Sequence, residues 1–74
     1  MTAATLRDLV GRSPFQPLDV HLADGRVIPV LHHDFVMISP VERDFVVYQP
    51  DGKIDWIDTQ LVTGVTPKQN GTPA

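Results

Sequence analysis

The chain has 74 residues, enough for one domain and too few for a second. Six basic residues oppose nine acidic ones, for a formal charge of −3, and the bases are scattered singly, which weighs against a nucleic-acid partner whose phosphates call for a basic face. The absence of cysteine excludes disulfides, thiolate nucleophiles and cysteine-based zinc sites, and fits a reducing cytoplasm.

The N-terminus has no basic start followed by an apolar run, so no signal peptide is expected. No apolar stretch approaches the roughly 18–20 residues of a membrane helix, and the expected state is soluble, without a membrane partner. Leu6, Leu9 and Val10 fall at i, i+3 and i+4, which predicts a short helix. Thr5 is the expected cap, with Asp8 at capping-box spacing and Thr2 competing for the role. Gly11 and Pro14 stop the helix, and Pro14-Phe15-Gln16-Pro17 follows as an extended connector with Phe15 as a plug.

From Leu18 the apolar period changes to two. Residues 18–22 predict a half-buried strand, and Asp24-Gly25 a tight turn. The return strand, 27–32, carries Pro29 and so belongs at an edge or a bulge. Further strands are predicted over 35–38, 45–48 and 53–57, the last with Ile54 and Trp56 on one face. Residues 58–60 suggest a single helical turn, and 61–65 a last short strand broken by Gly64. The polar tail, 67–74, predicts disorder. Short strands punctuated by turns in so small a chain predict a mostly β domain over residues 1–66. Its expected form is a short N-terminal α-helix followed by a five-stranded barrel, since closure hides sheet edges.

The order of elements resembles the Sm-like fold among SH3-like barrels. Leu18-Asp19-Val20-His21-Leu22-Ala23-Asp24-Gly25-Arg26 is similar to the first Sm signature of alternating apolar residues closed by Asn/Asp-Gly. The helix at 6–10 precedes it, and residues 57–65 stand where the second signature has its turn and closing strand. The resemblance implies a ring oligomer that binds RNA. The bacterial RNA chaperone of that superfamily grips RNA with a basic, histidine-bearing tripeptide. Trp56-Ile57-Asp58 stands in the comparable region here, and its carboxylate repels phosphate. Pro14-Phe15-Gln16-Pro17, Asp24-Gly25-Arg26 and His32-His33-Asp34 together resemble the layout of a family of small bacterial proteins, with His33 where that pattern tends to have proline. That layout carries no activity to transfer.

His32-His33-Asp34 offers two imidazoles and a carboxylate, the donor types of a zinc or other divalent-metal site. Neighbouring strand residues point to opposite faces, so both histidines ligate only where the corner is irregular, with His21 as the next donor. The plain alternative is a turn in which Asp34 caps backbone groups. Ser13 and Ser39 precede prolines, outside any nucleophile elbow, and the glycines are isolated turn residues. Asp55 and Asp58 flank Trp56, but a domain this small lacks the deep cleft of a glycosidase. No enzyme and no cofactor are expected. Arg26 is a candidate contact at a hairpin tip or a partner for Asp24. Phe35, Phe45 and Trp56 are expected at least partly in the core, with Tyr48 exposed.

The function expected is therefore a non-catalytic module for protein interaction or self-association, with Arg26, His32, Asp34, Tyr48 and Trp56 as candidate contacts. The alternatives are an Sm-like RNA-binding ring, disfavoured by charge, and a small-ligand or metal binder centred on His32 and Asp34.

Overall fold

A computed structural model describes residues 2–68 of the chain. It is mostly β, with one short helix, α1 (Ala3–Val10), and six strands: β1 (Leu18–Leu22), β2 (Val27–Val30), β3 (Val36–Ile38), β4 (Asp44–Tyr48), β5 (Ile54–Asp58) and β6 (Val62–Pro67). Single 3-10 turns at His33–Phe35 and Thr59–Leu61 lead into β3 and β6.

The strands form two antiparallel three-stranded sheets, in the orders β2-β1-β6 and β3-β4-β5, instead of one closed five-stranded barrel. The sequence shows the turns but not the interruption at 31–35, where the chain leaves the first sheet and coils once before the second. Gln49 spans the two, its side-chain amide donating to the Pro29 carbonyl at 2.9 Å.

α1 starts one turn earlier than the Thr5 cap implies. Thr2 is the N-cap, and its hydroxyl accepts the Thr5 backbone N–H at 3.2 Å. That choice lengthens the helix and leaves Ala3 and Leu6 buried, with Leu9 and Val10 packed at the core margin. Leu6 is fully buried among Leu18, Val20, Ile28 and Val30 from the first sheet and Phe45, Val47 and Ile57 from the second. An eight-residue helix is marginal alone, so this burial is what holds it.

β1 buries Leu18, Val20 and Leu22, as alternation predicts. Gly25 takes φ 92° in the following turn, a left-handed conformation that costs glycine little. Pro29 sits on β2, an edge strand, opposite Asp19. β6 runs through Gly64 to Pro67, farther than the predicted 61–65, and accommodates a register shift against His21 and Leu22. Lys68 extends this edge, its N–H donating to the Pro17 carbonyl at 2.9 Å. The rest of the predicted disordered tail, 69–74, lies outside the described residues. Among the described residues, no helix is long and apolar enough to cross a membrane.

Candidate interaction face

The two sheets share one core but differ on their outer faces. On the first sheet, polar groups engage one another. His21 Nε2 lies 2.8 Å from Thr66 Oγ1, and Asp19 lies 3.7 Å from Lys68 Nζ. His21 is not among the donors gathered at the histidine corner. On the second sheet, β4 turns Phe45 and Val47 into the core and Val46 and Tyr48 outward. Pairing sets Met37 of β3 beside Val46, Val46 beside Trp56 of β5, and Tyr48 beside Ile54. These five side chains form a continuous apolar face.

Trp56 is 73% exposed and Met37 67%, with Ile54 at 55% and Tyr48 at 45%. The expectation for Tyr48 agrees with this placement, and Phe45 is core. Trp56 is not core: Ile57 faces inward opposite Phe45, and strand alternation then sends Trp56 outward. Phe35 is half-buried beside His32.

The indole lies diagonally across the sheet toward Asp44, donating its N–H to Asp44 Oδ2 at 2.6 Å. Met37, Ser39, Asp44, Phe45, Val46 and Trp56 enclose a shallow depression of about 200 Å³. Asp44 pairs directly with Asp58 across the ladder. Like charges directly opposite are destabilising in a sheet. Asp58 Oδ1 accepts the Gln60 N–H at 2.8 Å, capping the turn into β6. Among the described residues, neither carboxylate has a cation within 4.0 Å. Arg43 lines a smaller hollow beside Asp58 without reaching that distance. Sequence reasoning named Tyr48 and Trp56 but missed Met37, Asp44, Val46 and Ile54.

The other candidates lie elsewhere. Arg26, at the β1–β2 tip, donates Nε–H to Asp24 Oδ2 at 2.8 Å, so the ion-pair reading describes it. The backbone N–H of Arg26 and then its side chain hold the Asp24 carboxyl below the usual aspartate range. At the histidine corner the chain is irregular, as joint ligation by His32 and His33 requires. The 3-10 turn stacks the two rings with centroids 4.6 Å apart. Asp34 Oδ1 lies 3.2 Å from His33 Nδ1, and Asp34 Oδ2 lies 3.6 Å from His32 Nδ1. The capping is the reverse of the expected one: His32 Nδ1 accepts the Asp34 backbone N–H at 3.2 Å. Phe15 rests near both rings. One donor atom from each of the three residues lies within 4.8 Å of the others.

A cavity of about 510 Å³ lies where the end of α1 and the connector meet β1 and β6, with Arg12 the charged group on its wall. It closes against Pro67, next to the end of the described chain. A scan of protein-family models, a search of curated proteins and a search of solved structures each gave no match to this chain.

Proposed function

We propose that this protein is a small non-catalytic interaction module that binds another protein through the outer face of β3-β4-β5. The observation that carries this reading is the contiguous row Met37, Val46, Trp56, Tyr48 and Ile54 on the outer face of one sheet, whereas the outer face of the other sets the paired polar groups His21–Thr66 and Asp19–Lys68 beside an exposed Val27. A contiguous exposed apolar patch marks an interaction site, and tryptophan and tyrosine are the residues that most often dominate binding energy. The RNA-ring alternative gains no support from this face, because Asp44 and Asp58 would meet phosphate.

Site-directed photo-crosslinking tests the proposal. A photoreactive residue replacing Met37 should give discrete protein adducts in cells, and Trp56→Ser should abolish them. The same group placed at Asp24, on the hairpin tip of the other sheet, should give none. Equal adducts from both positions, or adducts indifferent to Trp56→Ser, would count against the face.

A second reading, a divalent-metal site at His32, His33 and Asp34, is favoured by the turn that brings their donor atoms together. Tetrahedral zinc, with bonds of about 2.0–2.2 Å, holds its donors roughly 3.3–3.6 Å apart, so the widest pair of the set must draw together by up to about 1.5 Å to close on the metal. All three side chains are more than half exposed. Zinc should raise the melting temperature of the wild type in proportion to the logarithm of its concentration once the site fills, and His32→Ala should abolish that rise. An unmoved wild-type melting curve would discard the reading.

A further inference from the structure

We infer that the partner presents an arginine side chain, flanked by apolar residues, to the depression between Met37 and Trp56; this rests on the interaction reading above and names the chemistry of its ligand. Three features converge. The walls are apolar: Met37 on one side, the Trp56 indole on the other, Val46 beneath. At one end stands Asp44, its Oδ2 already accepting the indole N–H and its Oδ1 with no hydrogen-bond partner among the described residues. Behind Asp44, Asp58 adds a second negative charge, and neither is neutralised by a cation of the described chain.

Such a cleft selects a long side chain with an apolar stem and a cationic, planar head. The arginine stem covers Met37 and Val46, the guanidinium lies along the indole, and its N–H groups donate to Asp44. Arginine suits the site better than lysine because its head stacks and hydrogen-bonds at once, whereas an ammonium is a strongly hydrated point charge. The guanidinium also relieves the cross-strand repulsion between Asp44 and Asp58. The chain's charge of −3 favours a basic segment over a second copy of itself, which would bring a second set of carboxylates to the same contact. The same carboxylates disfavour a nucleic acid.

Selection from a random dodecapeptide library displayed on phage tests this directly. Wild-type protein should enrich peptides carrying one arginine between apolar residues. The chain's single tryptophan is Trp56, so its fluorescence reports each synthesised peptide at the proposed site. Asp44→Asn keeps an oxygen to accept the indole N–H but removes the charge. It should weaken those peptides by about tenfold or more, the weight of a charge-assisted hydrogen bond. Added salt should weaken wild-type binding and leave the Asn variant nearly flat. Circular dichroism verifies that the variant is folded, and Met37→Ser, on the opposite wall, should weaken the same peptides.

Apolar peptides without arginine, lysine in its place, or indifference to Asp44→Asn would overturn the arginine site while leaving the interaction face standing. If the wild type enriches nothing that Trp56→Ser does not, both fall. A concentration-dependent dimer in light scattering, lost in Trp56→Ser, would assign the face to a second copy and overturn the arginine site. Retention of RNA that Trp56→Ser abolishes would overturn it equally.

Discussion

Asp24 and Arg26 show how a hairpin tip fixes a side chain without creating a site. The Asp24 carboxylate accepts the Arg26 backbone N–H at 3.0 Å and its Nε–H at 2.8 Å. The backbone bond is the larger cause of its lowered pKa, with the guanidinium next among the groups that lower it. A carboxyl with a depressed folded pKa adds stability above its unfolded pKa and loses it as pH falls through the folded value. A carbon-detected NMR titration should therefore place Asp24 below an ordinary aspartate. Arg26→Gln should leave part of that depression, because the backbone donor remains. A full return to the ordinary value would mean that the side chain, and not the turn, sets the proton affinity. Either way Arg26 is paired within its own turn at an exposed hairpin tip, apart from the outward pair Trp56 and Asp44 on the second sheet.

At the scale of elements, Leu6 is the most deeply buried anchor of α1. Leu6 is fully buried between the sheets, while Thr2 only caps the first turn. Leu6→Ala should lower the unfolding free energy by about 2–5 kcal/mol in urea melts, the usual cost of such a truncation. Thr2→Ala should lower it by about 1 kcal/mol. Similar losses for the two would show that the helix is not anchored through Leu6. The sequence made some elements plain and others ambiguous for a physical reason. In β1, apolar Leu18, Val20 and Leu22 alternate with Asp19 and His21, so one face can be inside. In β4, Phe45-Val46-Val47-Tyr48 is apolar on both faces, and periodicity cannot choose. β5 compounds the ambiguity, since Ile54 and Trp56 share one face and Ile57 holds the other. Only pairing resolves it, by setting Phe45 against Ile57 and Val47 against Asp55. That one choice of face moved Trp56 from core to surface and set it beside Met37, Val46 and Asp44 around one outward depression. The separation of the two sheets was hidden similarly, because the turn at His33–Phe35 is held by His32 accepting the Asp34 N–H, an unusual cap.

Across the whole molecule, the shared core and the proposed recognition surface occupy opposite faces of the same sheet. Phe45, Val47 and Ile57 face the shared core, and Val46, Tyr48, Ile54 and Trp56 face outward. A domain this short buries only about 60% of the surface its unfolded chain exposes, and the outward tryptophan, exposed in both states, adds little to that burial. If that face serves binding, its removal should spare the fold. Trp56→Ser loses cross-strand contact with Val46 and one exposed hydrogen bond to Asp44, so its unfolding free energy in urea melts should fall by no more than about 1 kcal/mol. Phe45→Ala, directly across the sheet, should lose about 3–5 kcal/mol. In the native wild type, acrylamide should quench the tryptophan nearly as well as in the urea-unfolded chain, because the indole is already in water. A loss from Trp56→Ser as large as that from Phe45→Ala, or strong protection from acrylamide in the isolated protein, would place the indole in the core and dissolve the two-faced sheet on which the interaction reading stands.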